Sequence, residues 1–410
     1  MRKLLLICIL LMYVAGEMLV AQNNTNSPYT RYGFGRLEDP AFGRCFGMGG
    51  LSIGMRGNTN VNPANPASYS AVDSMTFIFD MGVSGSLSHF KDGASQRTTG
   101  TGNLDYLAIQ FSATKWMGIS LGLMPYSSVG YDFGSTDSVA MNSDYYRYNR
   151  SYKGTGGISQ VYLGLSFNLW KRLSIGANAY FLWGEMMHNK TLSFESSSLY
   201  SSNFTSNLHV YSFNFRYGLQ YTERIAKKHL LTLGFAYENR SRLHGTYEET
   251  LIDVDTTMLS TSVPLQFPSF YGAGISYTYD DRLTIGVDYS LYEFSKAKTF
   301  NVNEIDSLNN RHKCVLGAEY IHNPNGMRYV DRVRWRIGAE LTTPYVSDVL
   351  NYGLTVGVGF PLKTAKTILN VAFKYDKIGS SAKGGIREDC FKLSFSATIN
   401  ETWFFKSKIK

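Results

Sequence analysis

The sequence predicts an all-β fold: a 14-stranded antiparallel transmembrane β-barrel with an N-terminal plug, or hatch, segment in its lumen. Three observations carry that expectation. Residues 1–21 read as a secretory leader, and no continuous apolar run of about 18 residues follows them, so a membrane crossing has to be made by strands. From Met75 to Ile399 apolar and polar residues alternate with period two, as strands do between lipid and a wet lumen. Finally, short and long connections alternate along the chain, which puts tight turns on one rim and long loops on the other. A secreted β-sandwich shares the richness in Tyr, Thr and Gly, yet has no reason to keep that alternation.

The leader has Arg2 and Lys3, an apolar run from Leu4 to Ala15, and Leu19-Val20-Ala21 before a polar stretch, so cleavage is expected after Ala21. Cys8 lies inside the apolar run, and no lipid anchor is expected. Residues 22–74 form the expected plug. Gly33 to Ser70 keeps neither a helical nor an alternating period, but it carries Leu37, Phe42, Phe46, Met48, Leu51, Ile53 and Met55, which need burial. Its motif residues are Gly47, Gly49 and Gly50, which permit unusual backbone, and the repeated turns Asn62-Pro63-Ala64 and Asn65-Pro66-Ala67.

Residues 75–400 are the expected barrel. Strands are placed near 75–87, 104–115, 117–131, 157–169, 173–183, 207–221, 229–247, 270–279, 282–295, 311–322, 333–342, 351–360, 367–377 and 388–399. Most supply the 9–11 residues that a tilted strand needs to cross the hydrocarbon. Long connections are expected near 95, at 132–156 and near 195, 258, 302, 346 and 382. Trp116, Trp170, Trp183, Tyr221, Tyr279 and Trp335 fall near strand ends and read as interfacial girdles. An even strand count leaves both ends of the barrel on the periplasmic side. Residues 401–410, aromatic and then basic, are read as a periplasmic tail.

The charged fraction is 18%, below the roughly 25% of soluble domains. The formal net charge is +8, but the basic residues are scattered over turns without interleaved aromatics, so nucleic acid is not an expected partner and membrane lipid is. Cys45, Cys314 and Cys390 are an odd number at wide spacing, which fits neither a disulfide framework nor a zinc site. The histidines show no metal-ligand spacing, and the glycines make no phosphate loop. The tetrapeptides starting at Ser295 and Ser380 match a hydrolase pattern only in loops. No cofactor, metal or enzymatic role is expected.

The inward phase of the late strands carries Asp288, Glu319, Arg334, Arg336, Glu340, Lys374, Asp376 and Lys392, with Asp80 on the first strand placed to face Lys392 across the closing seam. Both signs on neighbouring strands allow buried charge. The early strands are small and uncharged inside (Ala108, Gln110, Ser120, Gly164, Ser166, Asn178), which suggests one charged wall and one neutral wall with room against it. The charged wall either lines a path or anchors the plug. Pro125 is the one proline placed within a spanning strand. Lacking an N–H, it requires a bulge or break, with Gly118 and Gly122 easing the bend. That bend is either a plain bulge or a sideways opening in the wall.

The leader, the Gly47–Gly54 stretch, the doubled Asn-Pro-Ala and the fourteen-strand pattern together resemble the FadL/TodX family of outer-membrane long-chain fatty-acid transporters, in its Bacteroidetes-type form. The resemblance implies an outer-membrane barrel, a hatch in the lumen, and a kinked third strand through which a hydrophobic ligand leaves into the bilayer. A hydrophobic or amphipathic small molecule is then the expected ligand, with Asp144 to Lys153 a possible receiving loop. The alternative is a barrel whose loops bind a protein partner as an accessory of a secretion system.

Overall fold

The structure, a computed structural model, describes residues 25–402 apart from 94, 142–143, 171, 197–198, 254, 263–264, 298–307, 347–349, 363–365 and 380–384. The expected leader and residues 403–410 of the expected tail lie outside the described residues. The barrel strands are β1 (Thr76–Asp92), β2 (Ser95–Thr114), β3 (Met117–Met141), β4 (Asp144–Trp170), β5 (Leu173–Phe194), β6 (Ser202–Ala226), β7 (His229–Glu238 and Ser241–Ile252) and β8 (Thr256–Ser262, Leu265–Phe267 and Phe270–Tyr279). They continue with β9 (Leu283–Tyr292), β10 (Arg311–Ile321), β11 (Arg334–Thr343), β12 (Asn351–Pro361), β13 (Ile368–Ile378) and β14 (Arg387–Thr402). Each pairs antiparallel with the next, and β14 returns to β1 from Arg387 opposite Lys91 to Thr402 opposite Thr76. Closure removes the sheet edges that hydrocarbon would leave unpaired.

Alternation sorts the wall into two faces. Leu121, Leu163, Phe213, Phe235, Ile337 and Val356 point outward and are exposed, while their strand neighbours point inward and are buried. The outward apolar belt is bounded at the tight-turn rim by Trp116, Trp170, Tyr279 and Trp335, and toward the other rim by Trp183, Tyr211, Tyr271 and Tyr289. On β8 the two rows fall at Tyr279 and Tyr271, a separation that suits a strand crossing of about 9 residues.

The strands are longer than their expected bounds on one side of the barrel. Residues 132–141 and 144–156, expected as part of one loop, are strand: β3 and β4 stay paired from Asp132 opposite Lys153 to Met141 opposite Asp144. The same holds near 195 and 258, where β5, β6, β7 and β8 extend the sheet. Their Thr, Tyr and Asn content supports strand pairing in water as well as in lipid, so composition marks no boundary at the membrane surface. With the β1–β2 hairpin, paired up to Asp92 opposite Ser95 where a long connection was expected, eight successive strands, β1 to β8, rise above the apolar belt.

The N-terminal segment runs through the lumen. It holds a 3₁₀ turn at Pro28–Arg31, a two-residue strand at Arg36–Leu37, one helical turn at Gly43–Gly47 and a 3₁₀ helix at Pro66–Ala71. Cys45, Met48, Leu51, Val61, Ala67 and Tyr69 are wholly inaccessible. This is the container that its unpatterned apolar residues require.

Candidate functional site

The seat of the N-terminal segment is a girdle of glycines, one on each of ten successive strands. Tyr69 lies on Gly118 of β3 and Gly164 of β4, Pro66 on Gly176 of β5 and Gly218 of β6, and Ile53 on Gly234 of β7. Gly54 then meets Gly274 of β8, Leu51 meets Gly286 of β9, Met48 meets Gly317 of β10 and Gly338 of β11, and Gly47 meets Gly357 of β12. Several are direct register partners: Gly176 with Gly218, Gly234 with Gly274, and Gly317 with both Gly286 and Gly338. A side chain at Gly176 would stand 2.5 Å from the Pro66 carbonyl carbon, and one at Gly286 2.8 Å from Leu51 Cδ2. The segment can approach the wall this closely only because the wall has no side chains there.

Polar contacts fix the same seat. Asp288 accepts hydrogen bonds from three consecutive backbone N–H groups, Ser52 and Ile53 at 2.6 Å and Gly54 at 3.0 Å. Asn62 donates to the carbonyls of Ser52 and Met55, and Asn65 donates to that of Ile53 while its Oδ1 caps Ala67. The Asn-Pro-Ala pair thus cross-links one turn of the segment to another. The carbonyls of Pro63, Ala64 and Ala67 are held by Asn178, Arg216 and Ser166 of the wall. Of the motif glycines, Gly47 and Gly49 lie on the girdle and Gly50 lies beside Lys313.

On both sides of the girdle the charged residues join into chains anchored on the segment, the first toward the loop rim and the second toward the tight turns. Arg36 pairs with Asp376 at 3.4 Å, Asp376 with Lys374 at 3.1 Å, Lys374 with Glu340 at 2.7 Å, and Glu340 with Lys313 at 2.8 Å. Lys313 and Arg311 both close on Asp39, at 2.6 and 3.0 Å. Burial would raise the pKa of Asp39, but Arg311 and Lys313 outweigh it and hold this carboxyl well below the usual range. A second chain runs Arg44–Glu319–Arg336–Asn370 at 2.8, 2.7 and 2.6 Å. Mutual pairing is what makes so many buried charges tolerable. Arg334 stands half-buried at the start of β11, below these chains.

Two expectations are corrected. Asp80 does not face Lys392: the seam register puts Thr398 opposite Asp80 and Ser86 opposite Lys392. Asp80 instead accepts from Tyr106 at 2.9 Å, and Lys392 donates to Asp105 at 3.0 Å. A bulge in β2 turns Asp105 inward beside Tyr106, and no period-two reading marks it. The neutral wall also has no room against it. Its small residues are the seat of the segment, and above them Phe34, Tyr126, Phe267, Phe270, Phe294 and Tyr345 pack into one aromatic cluster. The open space is on the charged side, a cavity of about 200 Å³ lined by Phe42, Phe46, Tyr106, Met124, Tyr345 and the ion pairs of Asp39 and Lys374.

Pro125 sits where the wall parts. The β3–β4 register shifts between Pro125 and Ser127, leaving Tyr126 as the extra residue. The β2–β3 ladder ends with Leu107 opposite Leu123; beyond it the described pairings put β2 on β1 and β3 on β4. Arg36 and Leu37 fill the break by pairing with Ser128 and Ser127, and Glu38 donates to the Tyr126 carbonyl at 2.9 Å. Thr30 bonds both the N–H and the carbonyl of Gly130, and Arg97 reaches across to the Asp132 carbonyl. Gly118 and Gly122 take no part in the bend: the first lies under Tyr69 and the second beside the Tyr162 ring. Pro125 itself is opposite Ser159, and just past the bulge Gly157 and Gly156 of β4 lie opposite Ser128 and Val129, with φ of +150° and +112°, where a side chain would strike the neighbouring carbonyls. Their adjacent placement was the available signal, hidden by the reading of 132–156 as a loop.

Sequence comparison gives a match of the BamG family model to residues 1–410. No curated protein matches. Among solved structures the fold is similar to a FadL homologue of Pseudomonas aeruginosa, with a TM-score of 0.62, 15% identity, and coverage of 91% of this chain and 100% of that one. It is similar to the toluene transporter TbuX of Ralstonia pickettii (0.61, 13%, 89% and 99%) and to the toluene transporter TodX of P. putida (0.60, 13%, 90% and 100%). At these identities the likeness is one of fold. The resemblance drawn from the sequence therefore holds for the architecture, while the family that matches in sequence carries a different name.

Proposed function

The chain belongs to the BamG family, and from that premise together with the parted wall we propose an outer-membrane barrel that admits a small hydrophobic or amphipathic molecule and releases it sideways at the third strand. One observation carries the reading: the cavity reaches Met124 and Pro125 at the point where the β2–β3 ladder ends. At about 200 Å³ it is smaller than the 300–1,000 Å³ of usual ligand pockets. It suits a small molecule, or the head of a longer one whose tail leaves through the break, as a fatty acid would. A route from cavity to lipid keeps each CH₂ out of water, about 0.8 kcal/mol apiece. In this reading residues 22–74 act as the plug, their Asn-Pro-Ala turns and glycines hold it on the girdle, and the charge network anchors it while residues 36–38 move.

A second reading is a barrel that holds a protein partner at its loop rim, as an accessory of secretion. The strands β1 to β8 standing above the apolar belt favour it, since a transport path needs no such extension. A lock separates the two. Leu37 and Ser127 are opposed in register, so Leu37→Cys with Ser127→Cys, in a Cys314→Ser background, should form a disulfide between segment and wall. Under the first reading, accumulation of oleate in proteoliposomes falls to the empty-vesicle level on oxidation and recovers on reduction. Unchanged accumulation, together with a co-purifying exported protein, overturns it in favour of the second.

A further inference from the structure

The outward face of β5 and β6 changes character in a fixed order along its height. On β6 it reads Phe213, Tyr211, His209, Asn207, Thr205 and Asn203 from the apolar belt upward. The same rows on β5 hold Phe213's partner Phe181, then Trp183, Glu185, Met187 and Asn189. Phe181 and Phe213 are in ring contact at 5.0 Å, level with acyl chains. One row higher Trp183 and Tyr211 are exposed side by side, and Tyr211 stacks on His244 of β7 at 5.4 Å and 15°. The next row pairs Glu185 with His209 at 3.6 Å. Above these the sheet is mostly amide and hydroxyl, with Met187 beside Asn207 and Ile252 beside Asn203: Asn189, Thr205 and Thr250 form one row, and the Thr191 hydroxyl lies between Asn189 and Asn203.

We propose that this face binds the sugar headgroup of an outer-leaflet glycolipid, with acyl chains on Phe181 and Phe213 and sugar rings against Trp183, Tyr211 and the Asn/Thr sheet. The proposal rests on the barrel's lying in an outer membrane and on neither functional reading. Continuity identifies the occupant: the face continues the lipid-facing wall without a break, so what lies against it is whatever stands directly above the acyl chains. Its chemistry selects sugar over phosphate. Flat aromatics accept the apolar faces of sugar rings, and amides, hydroxyls and one carboxylate match sugar hydroxyls. An anionic headgroup would call for clustered cations. The face instead carries Lys153, Arg147 and Arg242, spread over β4 and β7, against Asp132, Glu185 and Glu248. Among the described residues the opposite side of the barrel has no counterpart, because β9 to β13 end close to the upper aromatic row.

The test uses the full chain, purified in detergent, delipidated and titrated in native mass spectrometry with three probes: lipopolysaccharide carrying its core sugars, lipid A without them, and phosphatidylethanolamine. The expected result is at least a tenfold preference for the core-bearing lipid over both others. Asn207→Ala with Thr205→Ala, or Trp183→Ala alone, should reduce that preference at least tenfold, with Leu354→Ala on the far wall leaving it unchanged. Heat-modifiable gel mobility shows that each variant is folded. Equal binding of the three lipids, an unchanged preference in the variants, or a protein chain seated on the face would each overturn the proposal. Failure of the barrel reading itself would look different, as a chain that stays monomeric in water without detergent.

Discussion

Truncating Asp288 should release the N-terminal segment while leaving the barrel closed. The carboxylate holds three backbone N–H groups at 2.6, 2.6 and 3.0 Å in a site only 3% exposed. Each buried N–H left without a partner costs about 1–3 kcal/mol. Relief from burying the carboxylate, and water entering the vacated space, pull the total toward the low end, so Asp288→Ala should favour local opening by about 3 kcal/mol. That is roughly a 150-fold rise in the opened fraction at about 1.4 kcal/mol per tenfold. Asp288→Asn keeps one acceptor oxygen and sets an amide against one N–H, for about 1.5 kcal/mol and roughly tenfold. When closing is fast, cleavage follows the opened population, so the assay is the rate at which a protease cuts within residues 45–60 of the barrel in detergent. The expected order is Ala fastest, Asn intermediate, wild type slowest, with heat-modifiable mobility retained. Equal rates in all three would refute the claim that this carboxylate fixes the segment.

The girdle makes a sharper contrast between adjacent residues: Gly176→Leu drives a side chain into Pro66 and should block heat-modifiable folding, whereas Ala177→Leu faces lipid and should fold normally. Acid should loosen the segment through Asp39. Its folded-state pKa lies below the usual value near 3.9, so its pairing with Arg311 and Lys313 contributes stability above that value and loses it as pH falls through the lower one. Protease sensitivity is accordingly expected to be flat from pH 5 to 8 and to rise only below about pH 4. Asp39→Asn should be sensitive throughout and lack that step; an acid step of wild-type size in the variant would refute the assignment.

Strand number, closure and the two-faced wall were legible because period-two alternation is imposed by lipid on one side and packing on the other, and each strand repeats it. The same signal could not say where the membrane ends. Above the apolar belt β3 to β8 keep alternating Thr, Tyr and Asn with no lipid to demand it, and a loop and a solvated strand look alike there. The charged residues of β10 to β13 were legible as an inward set, but not their partners. Arg36, Asp39 and Arg44 lie in a segment without period, and only the folded path brings them to Asp376, Lys313 and Glu319. The glycine girdle is half visible in the sequence: Gly164 reads as small and inward, yet small does not mean empty. A position without a side chain inside a packed barrel is more often filled by backbone, as Tyr69 and Pro66 fill those of the girdle.

That correction bears on what could move. Glycine contact, the Asp288 carboxylate and the Asn-Pro-Ala cross-links hold residues 47–69 over ten strands, and releasing them would strand buried donors and open voids along the whole path. Residues 30–35 are pinned by Thr30 on Gly130, Phe34 in the aromatic cluster and the Tyr345 hydroxyl on the Gly35 carbonyl, but residues 36–38 are held differently. They sit at the break between β2 and β3 by two register pairs, the Glu38 N–H bond and the Arg36–Asp376 contact at 3.4 Å, the longest link in its chain. If the wall opens, the weakest boundary is there, and opening it leaves the girdle seated. A mechanism that empties the lumen would have to break the strongest contacts first, which the proposed passage along the wall beside Pro125 would leave in place.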